Sequence, residues 1–182
     1  VGEKREAILA VTLDEKPGSF KHFCKALGKR TISEFNYRFS SSDQAQIFVG
    51  VKVTSDDDRF ELVRELSEDG YPVSDMTDSE LAKSHIRHMV GGRSPQVGEE
   101  QVFRFEFPER PSALLNFLTE LGDDLNISMF HYRNHGSAFG KVLVGFQASH
   151  KEGLEVKRFL DELGYRCEDE TDNQAYRFFL GS

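Results

Sequence analysis

Two tyrosine–arginine pairs, Tyr37-Arg38 and Tyr132-Arg133, recur among neighbours that otherwise vary in this 182-residue chain. They stand in Phe35-Asn36-Tyr37-Arg38 and Phe130-His131-Tyr132-Arg133. On a strand, alternation puts each tyrosine on the face of Phe35 or Phe130 and each arginine on the opposite face. A hydroxyl on an apolar face needs a partner, and two are open to it: a small amphipathic ligand or a neighbouring backbone group. Two helix starts could hold the rest of such a ligand. Pro17-Gly18-Ser19 and Pro111-Ser112-Ala113 each precede an apolar helical stripe, and first-turn N–H groups suit a carboxylate. Gly18, Ser19, Ser112 and Ala113 are small enough to let a ligand come close, although a proline there is also ordinary helix punctuation.

The remaining reactive residues fail on context. Ser19-Phe20-Lys21 matches the start of a lysine segment that holds pyridoxal phosphate as a Schiff base in some enzymes. Here His22-Phe23 follows in place of Arg-Gly, and the repeated string Ser112-Ala113-Leu114-Leu115 has no lysine. Gly28-Lys29-Arg30-Thr31 lacks the earlier glycine of a phosphate loop. His131 and His135 have helical metal spacing but fall on a strand and its end, with Asn36 as the counterpart of His131. His85 and His88 have no third ligand nearby in sequence. Asp56-Asp57-Asp58 lacks the glycine and closing glutamate of a calcium loop and reads as a helix start. Asn126-Ile127-Ser128 is a glycosylation sequon without meaning in a reducing compartment. No catalytic or metal-ligating set appears in both halves, so a non-catalytic chain is expected.

The elements that must position these residues come from an internal duplication. Pro17, Phe20, Phe23, Leu27 and Gly28 recur as Pro111, Leu114, Phe117, Leu121 and Gly122 at an offset of 94. Ile32-Ser33-Glu34-Phe35-Asn36-Tyr37-Arg38 recurs as Ile127-Ser128-Met129-Phe130-His131-Tyr132-Arg133 at 95, as does Val49-Gly50 at Val144-Gly145. Gly70-Tyr71 and Thr77-Asp78 return as Gly164-Tyr165 and Thr171-Asp172. One register held over this many blocks divides the chain into 1–92 and 99–182, with the turn-rich segment 93–98 as linker.

Within each half, Leu9, Val11 and Leu13, or Phe103, Phe105 and Phe107, alternate as a half-buried strand. The stripes Phe20, Phe23, Cys24, Leu27 and Leu114, Phe117, Leu118, Leu121 predict a helix ending at Gly28 or Gly122. Two strands follow, Ile32 to Phe39 and Gln46 to Val53, matched by Ile127 to Arg133 and Lys141 to Ala148. A second helix places Phe60, Val63 and Leu66 inward, matched by Val156, Phe159, Leu160 and Leu163. A short strand near Val73 or Cys167, then further strands over Ile86 to Val90 and Arg177 to Leu180, would close each unit. The order β-α-β-β-α-β, twice, predicts an α+β fold of two tandem ferredoxin-like units, with an antiparallel sheet and both helices on one face. One unit leaves a sheet face bare, so the halves should pack side by side or face to face.

Composition limits the partners. Lys and Arg total 23 against 31 Asp and Glu, a formal charge of −8. Such a surface argues against nucleic acid and against a membrane surface, both of which require a concentrated cationic face. No run approaches a membrane span. The two cysteines, Cys24 and Cys167, are too few for a disulfide framework, which points to a reducing, cytoplasmic setting. The opening residue is Val1, as expected of a piece of a longer polypeptide.

Five strings carry a family resemblance: Phe35-Asn36-Tyr37-Arg38, His85 to Arg93 (HIRHMVGGR), Phe105 to Pro111 (FEFPERP), Phe130-His131-Tyr132-Arg133, and Arg177 to Gly181 (RFFLG). Over essentially the whole chain they resemble the C-terminal regulatory region of biosynthetic threonine deaminases (threonine ammonia-lyases). The resemblance implies two ACT-like subdomains that bind isoleucine as inhibitor and valine as antagonist or activator. It implies a catalytic domain N-terminal to this region, carrying pyridoxal phosphate, and a tetrameric whole enzyme. Effector-site positions carry onto Tyr37 and Tyr132, with Arg133 and Arg87 needed for the feedback response and Arg38 and Arg177 as their duplicates. Arg87 and Arg177 are only 90 apart, so two equal sites are not expected. The competing readings are an independent enzyme and a pure oligomerisation domain.

Overall fold

Alternation sets the first strand. In β1 (Glu6–Asp14), Ala7, Leu9, Val11 and Leu13 point to one face and are almost fully buried. The computed structural model describes residues 5–39, 43–89, 98–108, 113–122, 125–134 and 138–181. Ser112, Pro111, His135, Val90 and linker residues 93–97 lie outside these. After β1 come α1 (Ser19–Leu27), β2 (Ile32–Arg38), β3 (Gln44–Lys52), α2 (Asp56–Glu68) and β4 (Val73–Asp75). The second repeat supplies β5 (Glu100–Pro108), α4 (Ala113–Leu121), β6 (Ile127–Arg133), β7 (Phe139–Gln147), α5 (His150–Glu162) and β8 (Cys167–Asp169). The repeat is therefore visible in three dimensions, element for element.

All eight strands join one sheet in the order β4-β1-β3-β2-β6-β7-β5-β8, with every recorded pairing antiparallel. The halves thus pack side by side, and β2 pairs with β6 at the seam. In that ladder Phe35 faces Tyr132, Tyr37 faces Phe130, and Asn36 faces His131. A local two-fold passes between Asn36 and His131, because each Phe of one copy meets the Tyr of the other. Burial on both faces explains why β2 reads as an almost continuous buried run rather than an alternating one.

One sheet face carries the four longer helices. Phe23 and Leu27 of α1, Leu62 and Leu66 of α2, Leu114 and Phe117 of α4, and Val156 and Leu160 of α5 form a single core with the strands. Phe20 and Leu121 are partly buried against it. Ser55 caps α2 by accepting from the Asp58 N–H, so Asp56-Asp57-Asp58 is a helix start as expected. The inward assignment of Phe60 is corrected: it is 55% exposed and stacks under the Arg59 guanidinium, while Leu62 takes the buried place.

Two expected strands are also corrected. Ala82–Ile86 is a π-helical segment that runs into α3 (Arg87–Met89), and the stretch expected to form the last strand falls in α6 (Gln174–Phe179). The sheet edges belong to β4 and β8, the short strands expected near Val73 and Cys167. Ala82 and Ile86, four apart, pack on Ile8 and Phe48 on the face opposite the longer helices. That contact repairs part of the bare face, with Ala82 and Ile86 one helical turn apart on the packed side.

Candidate functional site

Helices α1 and α4 lie against each other across the seam on the helical face. Phe35 of one repeat meets Phe130 of the other edge-on, 5.6 Å between ring centres, beneath them. At each end of this helix pair is a cleft. The first is walled by residues 14–18 and Phe20 from one repeat and by Leu118, Leu121, Leu125 and Ile127 from the other. The second joins Ala113, Leu114 and Leu115 at the start of α4 to Cys24, Leu27 and Ile32 of the first repeat, with Tyr132 in its wall. Both are shallow and open to solvent along one side. Because Gly28 and Gly122, and Leu27 and Leu121, are repeat equivalents, the clefts are two copies of one arrangement: the helix start of one repeat against the helix end of the other.

Gly18 lines the first cleft as the N-cap of α1, with φ at 87° and no side-chain cap on the helix. A residue with a Cβ is strained at that angle. Ser19 is buried behind it, its N–H donating to the Lys16 carbonyl at 3.3 Å. Phe20 stands edge-on over Tyr37, ring centres 4.6 Å apart, and also against Phe35. Ser19-Phe20-Lys21 therefore belongs to core packing at the cleft rim. Tyr37 is buried to within 1%, and its hydroxyl donates to a Glu15 carboxylate oxygen. Burial, reinforced by Glu15, drives the Tyr37 phenol above its ordinary value, and burial raises the Glu15 carboxyl despite that hydrogen bond. The partner demanded by the hydroxyl is thus a carboxylate that sequence reasoning passed over. A signal was available: Glu15-Lys16-Pro17 returns as Glu109-Arg110-Pro111.

Tyr132 is buried too, and Gly140 makes its room: a Cβ there would strike the ring and stand 2.9 Å from the hydroxyl. The arginines are elsewhere. On the opposite sheet face, Glu34, with no exposed surface, receives Arg87 Nη2 at 2.6 Å, Asn36 Nδ2 at 2.9 Å and Arg133 Nη2 at 3.4 Å. Burial pushes the Glu34 carboxyl up, but Arg87, Asn36 and Arg133 together hold it below the ordinary range. Arg38 crosses the seam to Glu100 at 2.7 Å and to the Leu180 carbonyl at 2.7 Å. The structure brings Gly18, Phe20 and Tyr37 together at one cleft and Ala113 with Tyr132 at the other. It separates Arg87 and Arg133 from both clefts by the thickness of the sheet.

The glycines of Val49-Gly50 and Val144-Gly145 also gain a reason. A Cβ on Gly50 would lie 2.5 Å from Glu6 Oε1 and 2.6 Å from Ser33 Oγ, and one on Gly145 would lie 3.1 Å from Ser128 Oγ and 3.3 Å from Glu100 Cδ. Each repeat thus seats a serine–glutamate pair over a strand glycine. Among the described residues no group of three or more His, Cys, Asp or Glu could hold a metal. No helix there is long and apolar enough to cross a membrane.

A continuous antiparallel sheet shared by two ferredoxin-like, ACT-like units, with paired clefts where helix starts meet helix ends, defines a duplicated α+β regulatory module. The chain belongs to the family described as the C-terminal regulatory domain of threonine dehydratase, which it matches over residues 1–86 and 91–180. It is 50% identical over 182 residues to biosynthetic L-threonine dehydratases of Salmonella typhimurium and Escherichia coli K12, covering 99% of this chain and 35% of each relative. It is 42% identical over 189 residues to the mitochondrial threonine dehydratase of Saccharomyces cerevisiae, covering 99% of this chain and 33% of that protein. The chain thus spans about a third of the length of these relatives and corresponds to their regulatory part, not their catalytic part.

Proposed function

We propose that the two seam clefts are effector sites through which this module senses isoleucine, with valine as antagonist or activator. The observation that carries the reading is that each cleft takes its walls from both repeats. A ligand lodged there favours one arrangement of the halves over another, which is the requirement for coupling. In the first cleft, Phe20, Leu118, Leu121, Leu125 and Ile127 suit a branched aliphatic side chain. The start of α1 beyond Gly18 and Ser19, which no side chain caps, suits a carboxylate; Ser112 and Ala113 are the equivalents of Gly18 and Ser19 in sequence. Valine, one methylene smaller, buries about 0.8 kcal/mol less and competes for the same walls.

Tyr37 and Tyr132 shape the clefts. Arg87 and Arg133, tied to Glu34 across the sheet, report the arrangement of the halves to whatever packs on that face. We take 1–92 and 99–182 as the sensing units and 93–98 as their linker. The response would reach a catalytic domain of the same polypeptide, which supplies the pyridoxal phosphate chemistry, in a cytoplasmic tetramer.

A second reading, oligomer assembly without sensing, is favoured by Phe178 and Phe179 of α6, which are 59% and 72% exposed. Calorimetric titration of the chain with isoleucine, valine and threonine separates the two. Saturable isoleucine heat supports sensing; no heat from a stably oligomeric chain supports assembly.

A further inference from the structure

We propose that Glu15 is the residue of the first cleft that receives the α-ammonium group of an amino acid, with Tyr37 holding it in place from the core side. The inference rests on the effector reading above and names the group that distinguishes an amino acid from an apolar acid of the same shape. Glu15 lines the cleft between Asp14 and the start of α1. One carboxylate oxygen accepts from the Tyr37 hydroxyl. The other, Oε2, is buried, and no donor among the described residues reaches it.

A carboxylate half satisfied and without a cation is costly in a partly dry cleft. In folded proteins such a group is completed by an ordered water, an ion or a ligand. The neighbouring Lys16 instead reaches Asp14 at 3.5 Å. A small cation from solution is then the missing partner, and the ammonium of a free amino acid is a cation attached to the aliphatic side chain the cleft's walls accept. Its carboxylate falls to the start of α1, so the two ends of the zwitterion meet opposite charges a few residues apart in sequence. Tyr37 is a positioning residue: its donated hydrogen bond fixes one oxygen, and the ligand's ammonium displaces the side chains that now cover the other. In sequence the pair returns, with Glu109 94 residues after Glu15 and Tyr132 95 after Tyr37.

The test is titration of wild type and Glu15→Gln with isoleucine and with 3-methylpentanoic acid, which has the side chain and carboxylate but no ammonium. Methyl resonances of Leu118, Leu121 and Ile127 report the first cleft, and those of Leu114 and Leu115 the second. Glutamine keeps an acceptor for Tyr37, so the fold should survive with its thermal midpoint unchanged or raised. The expected result is that isoleucine affinity at the first cleft falls tenfold or more in Glu15→Gln. The second cleft should be unaffected, and 3-methylpentanoic acid should bind both proteins equally weakly. Tyr37→Phe should give a smaller loss at the same cleft. Wild-type affinity for isoleucine in Glu15→Gln would overturn the assignment of Glu15 and leave the effector reading standing. No response of either cleft to isoleucine in the wild type would overturn both.

Discussion

Arg38 Nη1 of the first repeat lies 2.7 Å from Glu100 Oε2 of the second, and both side chains are at most 5% exposed. Among the described residues one strand pairing, β2 with β6, joins the repeats, and this ion pair ties them again on the face away from the clefts. A buried pair of this kind loses about 3–5 kcal/mol when one partner is removed, because the survivor is left charged and dry. Arg38→Met should therefore cost about 3 kcal/mol in denaturant unfolding. Adding Glu100→Gln should recover more than 1 kcal/mol of that loss, a coupling read from the double-mutant cycle. Additive losses would show that the pair does not act as one.

Glu34 predicts a pH dependence. Its folded carboxyl sits below the ordinary 4.5, so its ion pairs add stability that is fully present above that value. The contribution is lost as pH falls through the lowered folded value, since the unfolded chain then binds the extra proton first. Glu34→Gln should be less stable than wild type by about 3 kcal/mol at pH 7. The gap should close on acidification toward pH 3. Chemical unfolding across that range measures both curves, and a gap independent of pH would assign the loss to packing.

Gly140 predicts a selective lesion. A methyl at this position collides with the Tyr132 ring, and overpacking of this kind costs about 1–3 kcal/mol. Gly140→Ala should lower the thermal midpoint and weaken isoleucine at the second cleft while the first cleft binds as before. Equal weakening of both clefts would show that Tyr132 acts through the sheet and not locally.

Much of this architecture was legible because the duplication let each half check the other. Apolar positions with period two gave β1 and β5, and the stripes from Phe20 and Leu114 gave α1 and α4. The split of Tyr37 and Arg38 onto opposite faces followed from alternation and is observed. Three features were not legible from pattern. A closing strand over Ile86 to Val90 is expected from the plan of the unit, yet Ala82 and Ile86 share one helical face against Ile8 and Phe48. Arg177 to Leu180 is expected as a strand only as its duplicate, although Asn173, whose side chain accepts from the Ala175 N–H, marks a helix start. The clefts themselves depend on β2 pairing with β6, a contact 95 residues apart that no local periodicity encodes. Glu15 escapes notice for a related reason: Tyr37 stands out by its repetition, but its partner lies 22 residues away, and only the repeat of Glu15 at Glu109 hints at it.

The proposal at stake is that the seam clefts bind the effector, with Tyr132 in the wall of one and Tyr37 holding Glu15 in the wall of the other, and calorimetric titration with isoleucine of wild type and the double variant Tyr37→Leu/Tyr132→Leu is its sharpest check. Leucine keeps much of the apolar bulk, so each change should cost stability about as much as one hydrogen bond, 0.5–1.5 kcal/mol. The account predicts saturable heat in the wild type and at least tenfold weaker binding, equivalent to about 1.4 kcal/mol, in a variant that still melts cooperatively. Wild-type affinity in the folded double variant would contradict it.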